Sequence, residues 1–259
     1  MRNSSTRLVH KSIGIDQPRP VEQEELPFRV RIVRNENQLL KAVHIRSEAY
    51  GRHWPSLYES LGNPEPQDRN PNSLIFLAEQ KNDNSAIGTM RIDTNLITPL
   101  PISHDIDLPA DLASDTIAYV TRLGVKQGRI GSLAKLTLFK SLHRYCLAKQ
   151  ISWILVGVHP PNDKDYLRLE FKDIYAPDVL VPIPSSFGIP LRFMAFEVVS
   201  AERLWRSTKN PLYTFMFKKY HPDVEIFSSV SGMWSHPRRA QARLSESVSI
   251  FDELGIPLI

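Results

Sequence analysis

Apolar and polar residues begin to alternate at residue 28, after a polar stretch that contains three prolines. Phe28, Val30 and Ile32 are separated by single arginines, which is the pattern of a half-buried strand. Residues 1–27 offer few apolar side chains that could be buried, so they are predicted to form an N-terminal arm. We therefore expect folded structure from Phe28 onwards.

The next segment has the pattern of a helix. Asn35 and Gln38 have the spacing of a capping box, and Gly51 is suited to end the helix. The side chains predicted to face the core are Leu39, Leu40, Val43 and Tyr50. Proline-rich loops are predicted at 51–73 and at roughly 94–115, and a hairpin of two strands, 74–79 and 86–92, lies between them.

The centre of the chain predicts a βαβ unit. Residues 117–125 and 152–158 are almost continuously apolar, as buried strands are. Between them lie a glycine-containing turn and a helix predicted over about 133–149, where apolar residues recur at helical spacing. Because strands joined by a helical crossover pair in parallel, we expect these two strands to do so.

The last third of the chain has a weaker pattern. A further strand is predicted over 191–199, and a helix over 211–220 with Pro211 at its first position. We therefore divide the chain into an arm (1–27), a central domain (28–199) and a helical extension (200–259) that packs on the same domain.

Composition excludes several classes of protein. The chain carries 32 Lys and Arg against 28 Asp and Glu, and the resulting net charge of +4 is too small to indicate nucleic-acid binding. Its one cysteine, Cys146, excludes an internal disulfide and a cysteine-based zinc site, and it fits the cytoplasm. No apolar run reaches the roughly 18 residues of a membrane span, which leaves peripheral membrane contact open.

The turn between the first central strand and its helix is suited to bind phosphate. Gly128 and Gly131 let an anion approach the backbone closely, and the helix N-terminus offers N–H groups. Lys126 and Arg129 add positive charge. The turn matches neither the Walker pattern nor the dinucleotide pattern, so an ordinary strand-to-helix connection is the alternative.

The order of the predicted elements resembles the GNAT acyltransferase superfamily over about residues 28–199. The resemblance implies an α/β (α+β) fold with a mixed, mostly antiparallel central sheet flanked by helices. It also implies that the central turn holds the pyrophosphate of a pantetheine thioester, although Gly131 stands one residue later than in the usual motif. The residues that this assigns to the donor are Val125, Lys126, Gln127, Gly128, Arg129, Ile130, Gly131 and Ser132.

Shorter motifs resemble one branch of that superfamily, the N-acyl amino acid synthases and acyl-homoserine lactone synthases. These enzymes take acyl chains from acyl carrier protein. The resemblance assigns substrate binding to Arg46, Tyr50, Trp54 and Arg91. Residues 119–122 read Tyr-Val-Thr-Arg where the lactone synthases have Glu-x-Ser-Arg, and Tyr119 in place of Glu implies a different acceptor amine.

Amine attack on a thioester needs a base, a stabilised oxyanion and a proton for the leaving thiolate. The catalytic candidates by position are Tyr119, Thr121, Arg122 and His159. Arg122 lies in an apolar strand and must be paired or bind an anion, so a structural ion pair is its alternative. Structural roles are also the alternatives for Arg46, Trp54 and His159.

We therefore predict an N-acyltransferase that moves a long-chain fatty acyl group from acyl carrier protein to an amino acid or similar small amine. No permanently bound cofactor and no metal is expected. Acidic carrier protein would meet a basic surround formed by Lys126, Arg129, Lys140, Arg144 and Lys149.

Two other functions stay open. The first is a GNAT acetyltransferase that uses acetyl-CoA. Such an enzyme needs a closed pocket beside the thioester, whereas an enzyme for long acyl chains needs an apolar tunnel that continues past it. The second is an inactive GNAT-like binding module, linked to nucleic acid through Arg238, Arg239 and Arg243.

Overall fold

A mixed nine-stranded sheet forms the centre of the molecule. The computed structural model describes residues 22–177 and 179–227. The strands are β1 (Glu22–Gln23), β2 (Phe28–Ile32), β3 (Ser73–Gln80), β4 (Ala86–Thr94), β5 (Ile117–Val125), β6 (Trp153–Val158), β7 (Lys172–Asp173), β8 (Val181–Pro182), β9 (Pro190–Glu197), β10 (Lys219–Tyr220) and β11 (Val224–Glu225). The main sheet has the order β11-β2-β3-β4-β5-β6-β9-β7, and β8 also pairs with β9. β1 and β10 form a separate two-stranded sheet.

Within the described ranges, six α-helices accompany these strands. They are α1 (Glu36–Gly51), α2 (Pro55–Ser60), α3 (Ala110–Ala113), α4 (Arg129–Ala148), α5 (Asp163–Arg168) and α6 (Ala201–Ser207). The two long loops predicted from the sequence contain α2, α3 and short 3-10 helices at Pro66–Arg69 and Pro101–His104. In the ranges that the structure describes, no helix is long and apolar enough to cross a membrane.

The predicted βαβ unit is confirmed. β5 and β6 pair in parallel, with Ile117 opposite Trp153 and Val120 opposite Val156, and α4 connects them. The only other parallel pair in the main sheet, among the described strands, is the short β11–β2 pair. The sheet is therefore mixed and mostly antiparallel, as the sequence predicted.

Helices cover the sheet on both faces because the strand residues alternate. In β3, Ile75 and Leu77 pack against α1, whereas Phe76 and Ala78 belong to the cluster that includes α4. The side chain of Asn35 caps α1 by accepting a hydrogen bond from the backbone of Gln38, as predicted. Leu40, however, is half exposed rather than in the core, because it lies about 100° around the helix from buried Leu39.

The N-terminal end of the described chain is packed more closely than predicted, and the C-terminal extension contains strands as well as helix. Residues 22–27 were expected in the arm, but β1 pairs with β10, and buried Leu26 donates its backbone N–H to Asp223 Oδ2 at 2.7 Å. The helix expected over 211–220 is a π-helix at Thr214–Lys218 followed by β10, and β11 joins the main sheet. The extension is thus only partly helical. Residues 1–21 and 228–259, with the three C-terminal arginines named above, lie outside the described residues.

Lys140 is buried, although the sequence placed it on the solvated side of its helix. Its Nζ donates to the carbonyl oxygens of Phe215 and Lys219, both at 2.6 Å, and lies 2.8 Å from Nδ1 of His221. Burial, with a further contribution from the charge of Arg144, lowers the pKa of Lys140 to about 7. Lys140 therefore joins the C-terminal part of the fold to α4 and does not form part of a basic rim.

Candidate active site

A cleft opens where β5 and β6 separate. The two strands are paired only up to Val120 on β5; beyond it, β5 runs on to Val125 beside β4, while β6 remains paired with β9. The cleft has a volume of about 210 Å³, and its walls come from β5, the end of α1, α2, α5 and the tip of the β8–β9 hairpin. Because this stretch of β5 has lost its partner on the β6 side, its backbone groups there can hydrogen bond to a ligand.

β5 carries an irregularity where it borders the cleft. Thr89 pairs with Gly124 and Arg91 with Thr121, so β5 accommodates one extra residue between these pairs. Arg122 lies in this bulge with a φ of +53°, which is uncommon for a residue that has a side chain. Bulges next to active sites commonly redirect a side chain, and this one directs Arg122 to a carboxylate.

Three arginines meet two carboxylates beside the bulge. Arg46 on α1 binds Asp68 through Nη1–Oδ1 (2.9 Å) and Nη2–Oδ2 (3.0 Å). Arg91 on β4 donates from Nη1 to Glu65 Oε2 (2.9 Å) and to Asp68 Oδ1 (3.0 Å). Arg122 donates to Glu65 from Nε (2.8 Å) and from Nη2 (2.7 Å). Glu65 is therefore the partner of Arg122 in the structural ion pair that was the alternative to a role in catalysis. Glu65 was not among the candidate residues predicted from the sequence.

The three arginines, Glu65 and Asp68 together form what we call the ion cluster. Both of its carboxylates are held in their charged form. Burial raises the pKa of Glu65, but the hydrogen bond and charge of Arg122, together with the other two guanidinium groups, outweigh burial and lower it. The same balance, with Arg46 as the main partner, lowers the pKa of Asp68. Thr121 is bound to the cluster as well, because its hydroxyl accepts a hydrogen bond from Arg91 Nε at 3.0 Å.

The predicted phosphate-binding turn is shorter than expected, because α4 begins at Arg129 rather than near residue 133. Gly128 is the N-cap residue, with φ +87° and ψ −175°, and it supplies no side-chain cap. Residues at the start of a helix have backbone N–H groups without an acceptor inside the helix, and those of Ile130 and Gly131 are of this kind. Beside the turn, Arg52 Nη2 donates to the carbonyl oxygen of Val125 at 2.7 Å. The sequence analysis did not select Arg52.

Gly131 is required by close packing of the backbone. A Cβ at this position would lie 1.7 Å from the carbonyl oxygen of Lys126. No side chain can therefore be placed here with the turn intact.

We expect Gly131→Ala to displace the first turn of α4. It should destabilise the fold by at least the ~1–3 kcal/mol typical of overpacking and should abolish the binding of acyl-CoA. Thermal unfolding and calorimetric titration check both effects. Gly62→Ala is the control, since its Cβ would meet its nearest neighbour at 3.1 Å, outside the cleft. If Gly131→Ala binds acyl-CoA with wild-type affinity, this turn is not part of the binding site.

His159 and Trp54 both line the cleft and are in contact with each other. Their rings make an edge-to-face contact with centroids 5.4 Å apart. His159 Nδ1 lies 3.0 Å from the carbonyl oxygen of Pro190, which can only accept, so Nδ1 carries the hydrogen. In the neutral ring, Nε2 is then the unprotonated nitrogen and can accept a proton.

Three tyrosines border the cleft: Tyr50, Tyr119 and Tyr166. Burial raises the pKa of each phenol above its ordinary value. All three therefore keep their protons at neutral pH. They can donate a hydrogen bond or a proton, but they cannot serve as the base.

The structure brings most of the predicted site residues together. Those that line the cleft are Tyr50, Trp54, Tyr119, Thr121, Arg122, Val125 and His159. Arg46 and Arg91 do not line the cleft, but they belong to the same ion cluster as Arg122. Residues 126–132 lie beyond Val125, at the N-terminus of α4, and are not part of the lining.

The basic surround predicted for a carrier protein is not a single surface. Lys140 is buried, Arg144 lies over the ring of Tyr220, and Lys149 follows the last residue of α4. A helix of 20 residues is roughly 30 Å long, so Lys149 is remote from the turn. Lys126 and Arg129 remain beside it.

Among the described residues there is no group of three or more His, Cys, Asp or Glu side chains that could hold a metal ion.

Neither family models nor curated proteins match this chain. Among solved structures, the N-acyl amino acid synthase FeeM from uncultured soil microbes aligns with a TM-score of 0.54 at 19% identity, covering 73% of this chain and 98% of that chain. A CoA-dependent acyl-homoserine lactone synthase, BjaI, aligns with a TM-score of 0.49 at 14% identity, covering 87% and 99%. The likeness to FeeM shows the fold, and the chain has the mixed, mostly antiparallel α/β architecture, flanked by helices, that the resemblance implied.

Proposed function

We propose that this chain is an N-acyltransferase that moves a fatty acyl group from the phosphopantetheine thioester of acyl carrier protein to the amine of an amino acid or similar small molecule. The observation that carries the proposal is the separation of β5 from β6, which forms a cleft beside the N-terminus of α4. FeeM, a structural neighbour, is an N-acyl amino acid synthase, which supports the proposal. The proposed compartment is the cytoplasm.

The donor is proposed to lie along β5. Pantetheine is an extended chain with two amide groups, and the unpaired backbone of β5 past Val120 can bond to such amides as a neighbouring strand would. Its phosphate would meet the start of α4 at Val125–Ser132, where backbone N–H groups, Lys126 and Arg129 favour negative charge. The donor is a substrate, so this proposal needs no permanently bound cofactor.

The acyl chain is proposed to enter the cleft between the two strands. The apolar side chains of the lining include Trp54, Leu57, Ile189 and Leu191. Burial of each methylene group against such a surface contributes about 0.8 kcal/mol, which favours a long chain over an acetyl group. Tyr50 and Trp54, assigned to substrate binding from the sequence, are part of this wall.

In the proposed reaction, His159 Nε2 takes the proton from the attacking amine. The new C–N bond gives a tetrahedral oxyanion, and unpaired N–H groups of β5 are suited to stabilise it. When the C–S bond breaks, the thiolate takes a proton from the hydroxyl of Tyr119, and the proton that His159 took from the amine restores that hydroxyl. Thr121, Arg46 and Arg91 act as positioning residues, since their contacts hold Arg122 and the bulge.

The decisive experiment offers the protein matched donors. We expect purified protein, given a mixture of amino acids, to form N-acyl amino acids from a C12 or C16 acyl carrier protein thioester, with little product from acetyl-CoA. Mass spectrometry identifies the products, and release of free thiol gives the rate. The same acyl chains on CoA form the control that separates chain length from carrier.

The outcomes distinguish the candidate functions. If acetyl-CoA is the best donor, the acetyltransferase alternative replaces this proposal. Equal rates from CoA and carrier-protein thioesters would contradict a specific requirement for acyl carrier protein. They would still support the transfer of long acyl chains. No product from any donor, with a folded protein, would favour the inactive binding module.

A further inference from the structure

The β8–β9 hairpin extends its tip into the cleft. Its tip residues Ser186, Phe187 and Ile189 belong to the cleft lining. Phe187 has a φ of +61° and Gly188 a φ of +70°, so both occupy the left-handed region. A bulky residue is strained there, and a neighbouring structure must compensate for that strain.

Phe187 is also unusually placed for an aromatic residue. Its side chain is 47% exposed, although it borders a cleft that contains several buried aromatic rings. The ring faces the guanidinium group of Arg122, with 5.9 Å between Cζ and the ring centroid. A strained and exposed aromatic side chain beside the bulge adds little to the core, so its position indicates a role in binding.

Arg122 has binding capacity that the ion cluster does not use. Nε and Nη2 are bonded to Glu65, which leaves Nη1 without a hydrogen-bond partner among the described residues. The Arg122 side chain is part of the cleft lining. Because Arg122 lines the cleft, its guanidinium group is suited to bind a carboxylate there, and charge-assisted bonds of this type are the stronger class.

We propose that Phe187 and Arg122 form the acceptor subsite, in which Arg122 Nη1 binds the carboxylate of an α-amino acid and the Phe187 ring contacts a large apolar side chain of that amino acid. This inference rests on the proposed function and adds the acceptor class to it. Ile189 and Leu191 extend the apolar surface beside Phe187. The subsite therefore selects against glycine, polar amino acids and amines without a carboxylate.

The test uses Phe187→Asn, because asparagine tolerates the left-handed conformation and removes only the ring. We expect the Michaelis constant for phenylalanine or leucine to rise about 10- to 100-fold, the usual range for lost apolar contacts in a pocket. The constant for alanine and the constant for the acyl donor should stay near wild type. Phe187→Leu should recover part of the selectivity.

Phe227→Ala is the matched control. Phe227 is 45% exposed, almost as much as Phe187, and is not part of the cleft lining. It should behave as wild type in every assay. A second comparison pairs phenylalanine with phenethylamine, which lacks the carboxylate, and we expect only phenylalanine to be used efficiently.

Calorimetric titration of phenylalanine into donor-free protein keeps this proposal separate from the proposed function. Binding to wild type and its loss in Phe187→Asn support the subsite even if no acyl transfer is found. Three results would overturn the subsite: no phenylalanine binding to wild type, equal use of phenethylamine, or a change in preferred acyl-chain length without a change in acceptor preference. The last would mean that Phe187 bounds the acyl chain.

Discussion

Replacing Arg122 with methionine should lower kcat/KM for acyl transfer by at least ~100-fold, the scale of a charged hydrogen bond at about 3 kcal/mol. Methionine keeps the apolar stem but loses the carboxylate contact proposed for Nη1. Stability should fall less than activity, because Glu65 retains Arg91 at 2.9 Å and Arg46 at 3.4 Å. Steady-state kinetics and thermal unfolding of the same preparation give both quantities.

Arg192→Met is the matched control for that experiment. Arg192 is as buried as Arg122, with 12% of its side chain exposed against 11%, and it binds Asp173 and Asp163 at 2.6 Å. It is not part of the cleft lining. Its loss should therefore reduce stability and leave the specific activity of the folded protein largely intact. If instead Arg122→Met unfolds the chain while its folded fraction turns over normally, Arg122 is only a structural ion pair.

Arg46→Met should lower the free energy of unfolding by about 3 kcal/mol, the low end of the cost of breaking a buried ion pair. Only 3% of the Arg46 side chain is exposed and none of the Asp68 side chain. Asp68 would keep a single cationic partner, Arg91 at 3.0 Å. Denaturant unfolding at neutral pH measures the loss, and activity should fall as well because the loop that carries Glu65 is released.

The stability of the same variant should depend less on acid than that of wild type, so the difference between the two should narrow at low pH. The pKa of Asp68 is lowered in the folded state, so its contribution to stability is present above about pH 4, the ordinary range of an aspartate, and is lost as the pH falls below it. Without Arg46 this contribution shrinks. The double variant Arg46→Met/Asp68→Leu should recover part of the stability, since an apolar pair can replace a buried ion pair. A single variant as stable as wild type would show that the pair contributes nothing.

The sequence predicted those features that depend on local periodicity. The βαβ unit followed from two apolar strands around an amphipathic helix, and the structure contains it at 117–158. The hairpin of β3 and β4 followed from two strand patterns separated by turn-forming residues. Of the seven predicted residues that line the cleft, five lie on β5 or at the end of α1, and both segments have clear patterns.

Contacts between distant parts of the chain were not predictable in the same way. Glu65 lies in a polar, proline-rich segment, and its partner Arg122 is 57 residues away, so no local pattern marks it. Lys140 has the spacing of a surface residue on α4, and only the return of residues 215–221 to this helix buries it. Phe187 gave no periodic signal, because its role depends on the left-handed tip of a hairpin.

The outer edge of β2 is completed by residues from the far end of the described chain. β11 pairs with it, with Val224 opposite Val30, and the bond from Leu26 to Asp223 spans 197 residues. During synthesis this edge has no neighbour until residue 225 has left the ribosome. Contacts of such long range form slowly, and an open strand edge is a template for pairing with other chains. An incomplete chain therefore presents an open strand edge on β2, which is a site where edge-to-edge aggregation can begin.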